Sequence, residues 1–141
     1  MKKVAMRYYL DTSIWMDFFG DRIGYKGEPL GQYARRFLSI LLSKGEKIVL
    51  SDLIIIELSH YYSADKMRVL FAPLEGIIDK IYTTSSQKER AKLLSKIRKV
   101  PTGDALHAVI AHDLKLFLIT RDKHFRKLRD ISESHKPEHL I

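Results

Sequence analysis

The stretch VAMRYYLDTS, from Val4 to Ser13, contains the first structural signal of the chain. Val4 to Leu10 is rich in β-branched and aromatic residues, which predicts a short buried strand. That run ends abruptly at Asp11-Thr12-Ser13. An acidic residue directly after a buried strand either caps the next helix or takes part in chemistry at the end of the strand.

Further short apolar runs alternate with longer amphipathic ones. The strands predicted after the first are Lys47 to Leu50, Ile77 to Thr83 and Leu116 to Thr120. The predicted helices are Gln32 to Leu42, a helix from Ser51 or Asp52 through Tyr62, Met67 to Phe71, Ser86 to Arg98, and one from Thr102 through Leu114. This alternation predicts one α/β domain over residues 1–141 with a short, mainly parallel central sheet.

Composition excludes several classes of protein. The 141 residues contain no cysteine, which excludes disulfide scaffolds, cysteine-ligated zinc sites, iron–sulfur proteins and thiol enzymes. No apolar run approaches the roughly 20 residues of a membrane span, and Arg7 interrupts the first apolar run as no signal peptide would. We therefore expect a cytoplasmic protein with no membrane association.

The net charge of +8 is unevenly distributed along the chain. Residues 1–87 carry 12 basic and 10 acidic side chains, whereas residues 88–141 carry 13 and 7, so that the second part has a net charge of +6. A basic half is typical of a protein that binds nucleic acid, but also of a solvated, lysine-rich surface. Charge alone leaves both interpretations open.

Four acidic residues lie where an ordinary fold would not place them. Asp11 and Asp122 each follow a predicted strand, Glu57 lies within an apolar helical run, and Asp104 lies near a helix start. In an open parallel sheet these positions share the edge where ligands bind. Carboxylates crowded at one edge need a cation, and oxygen ligands suit Mg²⁺ or Mn²⁺. Taken singly, each acid also has a structural interpretation as a helix cap, a turn residue or an ion-pair partner.

Four runs in the same order resemble the PIN-domain ribonucleases, and most closely the toxins of VapBC toxin–antitoxin pairs. They are YYLDTSIWMDFF (Tyr8 to Phe19), LSDLIIIELSHYY (Leu50 to Tyr62), PTGDALHAVIAHD (Pro101 to Asp113) and LITRDKHF (Leu118 to Phe125). The resemblance implies a three-layer α/β/α sandwich and an endoribonuclease dependent on one or two Mg²⁺ or Mn²⁺ ions. It also implies a homodimer and inhibition by a small antitoxin protein.

The resemblance assigns site residues by position. Asp11, Glu57 and Asp104 match the three principal metal-site acids of the family, and Asp122 matches the fourth. Ser13 and Thr120 match hydroxyl residues that orient the carboxylates. The implied chemistry is attack of an ion-activated water on the scissile phosphorus.

Basic residues beside Asp122 are candidates for binding the RNA backbone. They are Arg121, Lys123, Arg126, Lys127 and Arg129, of which Arg121, Lys123 and Arg126 are our principal choices. His107 follows Asp104 by one helical turn, and we interpret it as a structural residue. Asp17 is interpreted as a helix-surface acid. The Gly20 to Gly31 segment is long for the family and is a substrate flap, an antitoxin contact or an insertion.

Three alternative functions make different demands on the sequence. A phospho-aspartate phosphatase of the haloacid-dehalogenase type needs a second Asp two residues after the first, where this chain has Ser13. A non-catalytic RNA-binding module would gain by losing the negative charge of the four acids. An RNA-processing PIN nuclease without an antitoxin differs from a toxin only in its partner, so this alternative stays open.

Overall fold

The computed structural model describes residues 6–141. The first predicted strand is confirmed over Arg7–Leu10, whereas Val4 and Ala5 lie outside the described residues. The elements in chain order are β1 (Arg7–Leu10), α1 (Thr12–Gly20), α2 (Leu30–Lys44), β2 (Lys47–Ser51), α3 (Asp52–Ser59), α4 (Ala64–Phe71), β3 (Ile78–Ile81), α5 (Ser85–Arg98), α6 (Thr102–Asp113), β4 (Phe117–Ile119) and β5 (Ser134–His135). Three short 3-10 helices complete the fold, at Ala72–Ile77, Lys123–Leu128 and Pro137–Leu140.

The described strands form one sheet in the order β3-β2-β1-β4-β5, and every neighbouring pair is parallel. Crossover connections between parallel strands are right-handed. The chain moves in one direction from β1 to β3 and in the other from β3 to β5, so its helices cover opposite faces of the sheet. Contacts between α1 and α2 and between α5 and α6 agree with this division. The predicted three-layer α/β/α sandwich is confirmed.

The reversal of direction lies between β1 and β4, which are neighbours in the sheet. The helix after β1 and the segment after β4 leave toward opposite faces and open a crevice at the carboxyl ends of the two strands. Asp11 follows β1 and Asp122 closely follows β4. The fold therefore brings these two acids to the place where open α/β sheets bind ligands.

Burial on both faces of the sheet explains why the strand sequences are continuous apolar runs. Tyr9, Leu10, Ile48, Leu118 and Ile119 are fully buried, because helices cover both faces of the sheet. No helix among residues 6–141 combines the length and the apolar character needed to cross a bilayer.

Predicted helix boundaries are wrong at several ends: α2 spans Leu30–Lys44 instead of Gln32 to Leu42, and α4 begins at Ala64 instead of Met67. The capping pair of α5 expected at Ser86 and Glu89 is also wrong. The N-cap is Thr84, two residues earlier, which exchanges hydrogen bonds with Gln87 in a capping box. The helix expected to continue to Tyr62 ends at Ser59. No sequence pattern predicts β5 or the 3-10 helices after Asp122, since each is too short to leave a periodic signal.

The Gly20 to Gly31 segment folds back on itself. Gly31 N–H donates to the Arg22 carbonyl at 2.9 Å, and Gly24 N–H donates to the Glu28 carbonyl at 2.8 Å. A Cβ on Gly31 would lie 2.5 Å from the Asp21 Cα, so only glycine allows this close approach. The segment is therefore an ordered loop, while its role as flap, antitoxin-binding segment or insertion stays a question of function.

Candidate functional site

Asp11 lies at the carboxyl end of β1 and is 4% exposed. One carboxylate oxygen, Oδ1, accepts a hydrogen bond from Ser13 Oγ at 2.6 Å and one from the Ile14 N–H at 3.3 Å. The other, Oδ2, accepts from Thr120 Oγ1 at 2.5 Å. Burial raises the pKa of Asp11. Asp11 thus caps α1, and Ser13 and Thr120 contact it as expected for orienting hydroxyl groups.

Thr120 connects Asp11 with the loop after β4. Its Oγ1 atom donates to Asp11 and accepts the backbone N–H of Asp122 at 3.0 Å. Asp122 in turn caps the following 3-10 helix by accepting the His124 N–H at 2.9 Å. One buried hydroxyl group therefore fixes the relative positions of two acids 111 residues apart in the sequence.

Asp104, Asp122 and His124 form the tightest group of candidate metal ligands among the described residues. One ligand atom from each lies within 4.8 Å of the others. His124 Nδ1 lies 3.1 Å from Asp104 Oδ2 and 3.0 Å from Asp122 Oδ1. Asp104 lies in the first turn of α6 and does not cap it, because the capping position is Pro101.

The protonation of Asp104 reflects crowding of negative charge. Burial is the largest cause, and the charges of Asp122 and Asp11 add to it, so that the pKa of Asp104 rises to about 6. In the absence of a cation, a proton partly relieves the repulsion between these carboxylates. A bound divalent cation would remove the same repulsion more completely.

Glu57 approaches the site from α3. Its Oε1 atom accepts hydrogen bonds from Thr12 Oγ1 at 2.6 Å and from His107 Nε2 at 2.6 Å. Burial acts to raise the pKa of Glu57, but the hydrogen bonds from His107 and Thr12 outweigh it and lower the pKa. A Cβ on Gly103 would lie 3.2 Å from Glu57 Oε2, so the glycine leaves room for the carboxylate against the first turn of α6.

A chain of buried polar groups holds Glu57 in place. Tyr9 OH lies 2.6 Å from His107 Nδ1 and 2.8 Å from Ser51 Oγ. With an ionised Glu57 as acceptor, His107 Nε2–H donates to it, His107 Nδ1 accepts from Tyr9, and Tyr9 accepts from Ser51. All three supporting residues are nearly fully buried. His107 is thus structural, as interpreted, and it also positions a candidate site residue.

The four predicted acids are not equally close to one another. Asp104 and Asp122 belong to one group of ligand atoms, and Thr120 joins Asp11 to Asp122. Glu57 is connected to these acids through Thr12, the residue after Asp11, and through His107, which lies on the same helix as Asp104. Within residues 6–141, no Lys or Arg forms an ion pair with any of the four. Carboxylates that have no Lys or Arg partner can bind a divalent cation.

The interpretation of Asp17 as a surface acid is wrong, and Arg121 is not free to bind RNA. Asp17 is 3% exposed and pairs with Arg121 at 3.1 Å, and Arg121 also pairs with Glu138 at 2.6 Å. The charge of Arg121 is therefore used inside the protein. Lys123 and Arg126 are exposed and form no ion pair with a described carboxylate, so they remain candidates for phosphate binding.

Sequence reasoning missed His124, although a local signal existed. His124 follows Asp122 by two residues, and an Asp that caps a short helical turn directs the next side chains toward the same crevice. The partner of Asp17 left no such signal, because Arg121 lies 104 residues away.

Solved structures with the same fold include two VapBC proteins and a toxin–antitoxin complex. VapBC-1 from nontypeable Haemophilus influenzae matches with a TM-score of 0.66 and 18% identity, covering 94% of this chain and 98% of that one. VapBC2 from Rickettsia felis bound to a promoter DNA fragment matches with a TM-score of 0.64 and 17% identity, covering 93% of this chain and 98% of that one. A toxin–antitoxin complex from Klebsiella pneumoniae matches with a TM-score of 0.63 and 20% identity, covering 92% of this chain and 97% of that one. No curated protein matches the chain by sequence.

The family assignment rests on sequence. The PIN domain model matches residues 8–131, a range that contains all four predicted acids as well as Thr120 and His124. The order of strands and the acids at the switch point agree with the resemblance inferred from the four sequence runs. The chain belongs to the PIN-domain family.

Proposed function

We propose that the protein is a metal-dependent endoribonuclease and the toxin of a toxin–antitoxin pair. The observation that carries the proposal is that Asp104 and Asp122 lie together with His124, that Thr120 links Asp11 to Asp122, and that no Lys or Arg pairs with these three acids among the described residues. The other buried acid among the described residues, Asp17, does have an arginine partner. Membership of the PIN family supports a nuclease acting on nucleic acid.

Asp11, Asp104, Asp122 and Glu57 are the residues that would hold one or two Mg²⁺ or Mn²⁺ ions, and His124 is an additional candidate. When bound, such an ion makes a water more acidic and stabilises negative charge on phosphate oxygens. Ser13 and Thr120 fix the carboxylate of Asp11, and His107 fixes that of Glu57. Lys123 and Arg126 would hold the RNA backbone beside these acids.

The first experiment measures cleavage of end-labelled RNA with Mg²⁺, with Mn²⁺ and with EDTA. We expect cleavage that requires the metal and leaves 5′-phosphate and 3′-hydroxyl ends. Asp11→Asn and Asp104→Asn should each lower the rate by about 10²–10³-fold while the circular dichroism spectrum is retained. The matched control is Asp113→Asn, at the other end of α6 from Asp104, where the acid pairs with Arg90.

Wild-type cleavage in EDTA, or full activity in either site variant, would contradict the proposal. Loss of activity in Asp113→Asn equal to that in Asp104→Asn would contradict it as well, since the loss would then not depend on an acid of the candidate metal site.

The proposed partners are a small antitoxin protein and a second copy of the chain. Antitoxin binding is supported by the solved structures with this fold, which include two VapBC proteins and a toxin–antitoxin complex. A short reading frame directly upstream of the gene should encode a protein that co-purifies with this chain and suppresses RNA cleavage. Light scattering of the purified chain should give twice the monomer mass. An active nuclease with no such neighbour would instead be an RNA-processing enzyme.

A further inference from the structure

A polar cavity of about 310 Å³ lies beyond the carboxyl ends of β4 and β5. The 3-10 helix Lys123–Leu128 and the C-terminal segment from Ser134 contribute its walls. Its basic and imidazole side chains, apart from Arg121, are Lys123, Arg126, Arg129, His135, Lys136 and His139. Half of this set lies in the C-terminal segment, which no sequence pattern connects with the site.

The cavity carries an excess of positive charge. Five Lys or Arg residues and one carboxylate, Asp122, line it. Arg121 is balanced by Asp17 and Glu138, but the other four basic residues form no ion pair with any described carboxylate. Arginines elsewhere in the chain do have such partners, for example Arg90 and Arg98. Like charges gathered around one cavity are stabilised by an anion within it.

The cavity is continuous with the candidate metal centre. Thr120 and Asp122 line the cavity, and the same two residues connect Asp11 with the group formed by Asp104 and His124. An anionic group in the cavity would therefore lie next to a phosphodiester held at the acids. Positive charge beside a cluster of acids also offsets the repulsion that RNA meets there.

We propose that this cavity binds one phosphate group of the RNA substrate, adjacent to the phosphodiester at the acid cluster. The proposal rests on the proposed ribonuclease function. The cavity volume lies at the lower end of ligand pockets, roughly 300–1,000 Å³, which is room for a phosphate and its sugar. No Phe, Tyr or Trp is among its described lining residues, and the lining consists mainly of charged and imidazole groups suited to a phosphate. The recognition is of the backbone and carries no base specificity.

The phosphate group has two sources, an internal backbone phosphate or the 5′-terminal phosphate of an RNA end. Both present anionic phosphate oxygens to the same basic side chains, with one negative charge on an internal phosphodiester and up to two on a terminal phosphate. The test therefore uses two RNA probes that differ only in the 5′ group.

The experiment measures binding of a fluorescent 12-nucleotide RNA by anisotropy in EDTA, so that no cleavage takes place. The double variant is Arg129→Gln with Lys136→Gln. The matched control is Lys44→Gln with Lys115→Gln, two exposed lysines that precede β2 and β4 at the opposite edge of the sheet. We expect affinity to fall about tenfold in the double variant, with a salt-dependence slope smaller by about 0.7 for each phosphate that is no longer neutralised. The control should stay within about twofold of wild type.

An equal decrease in affinity for the 5′-phosphate and 5′-hydroxyl probes identifies an internal phosphate, and a decrease confined to the 5′-phosphate probe identifies the terminal one. Equal affinity and salt slope in the double variant and in the control overturn the proposal, and so does a wild-type protein that binds neither probe. The readout is independent of cleavage. If the wild type cleaves RNA and the double variant binds RNA normally, only the proposed phosphate site is contradicted. If the double variant loses binding but the wild type has no nuclease activity, only the proposed ribonuclease function is contradicted.

Discussion

The carboxyl edge of the sheet and the ion-pair network around Arg121 are adjacent in the chain but treat buried acids in opposite ways. Asp11 and Asp17 are both nearly inaccessible, at 4% and 3% exposure. Asp17 faces Arg121 and Arg22, whereas Asp11 receives hydrogen bonds only from neutral groups. Asp17, which serves the structure, thus has arginine partners, whereas Asp11 at the switch point has none. Of the two buried acids in the described part of the chain, only Asp17 has a basic partner, and this difference is the reason for proposing that Asp11 serves a bound cation.

The largest expected effect on stability comes from removing the cation of the network. Arg121→Gln leaves Asp17 and Glu138 facing each other without their shared arginine, which turns the network into another crowded acid site. We expect the free energy of unfolding to fall by about 3 kcal/mol, because one partner of a buried ion pair is removed. Urea denaturation at pH 7.5 measures the change. The control, Arg126→Gln, removes an exposed arginine five residues further on and should change the free energy of unfolding by less than about 0.5 kcal/mol. Equal decreases in both variants would show that the ion pairs of Arg121 do not stabilise the fold.

The opposite manipulation adds a cation to the acid cluster. Mn²⁺ at about 100 times its Kd should raise the free energy of unfolding by about 2.7 kcal/mol, because the ion binds only the folded protein. Thermal melts with and without Mn²⁺ measure the effect. Asp104→Asn should abolish the increase and Asp113→Asn should retain it. A melting temperature insensitive to Mn²⁺ in the wild type would mean that the four acids hold no divalent ion.

The hydrogen-bond chain behind Glu57 predicts an effect on rate. His107→Ala should lower RNA cleavage by about 10–100-fold, since the substitution removes an orienting partner of a metal-site carboxylate. His107→Gln should recover part of the rate, because its amide can accept from Tyr9 and donate to Glu57. Single-turnover cleavage and melting temperature are measured together for both variants. If cleavage followed stability alone, with no recovery in the Gln variant, His107 would have no positioning role.

The smallest expected effect concerns the crowding of charge at Asp104. Its pKa is raised in the folded protein to about 6, from 3.8, so its contribution to stability is present below pH 3.8 and is lost as pH rises through 6. In EDTA at pH 7.5, Asp104→Asn should therefore stabilise the protein by about 1 kcal/mol. Urea denaturation across a pH series measures this gain, which should shrink steadily between pH 7 and pH 4.

Asp113→Asn should behave in the opposite way, because Arg90 holds the pKa of Asp113 below its usual value. Its ionised form stabilises the fold, so at pH 7.5 the substitution should lower the melting temperature. Destabilisation by Asp104→Asn at pH 7.5 would show that the Asp104 carboxylate is stabilised by its surroundings, as the paired acids are.

Local sequence patterns suffice to predict the architecture and the place of the site. Short apolar strands alternating with helices require a parallel sheet, and a parallel sheet collects the residues after its strands at one edge. Asp11 and Asp122 are predictable for that reason, since their position relative to a strand is a local property. The boundaries that failed were local as well, as at Ser86, where a competing cap two residues earlier begins the helix.

The partner of each buried polar group, in contrast, is fixed by the packed fold. Arg121 lies next to candidate phosphate-binding residues in the sequence, yet its charge is taken by Asp17, 104 residues earlier. His107 reaches Glu57 across 50 residues. Hydrogen bonds and ion pairs between distant residues depend on side-chain direction in the folded chain and leave no periodic pattern in the sequence. The order of amino acids therefore indicates where a site lies, while tertiary packing selects which of its residues remain free to act there.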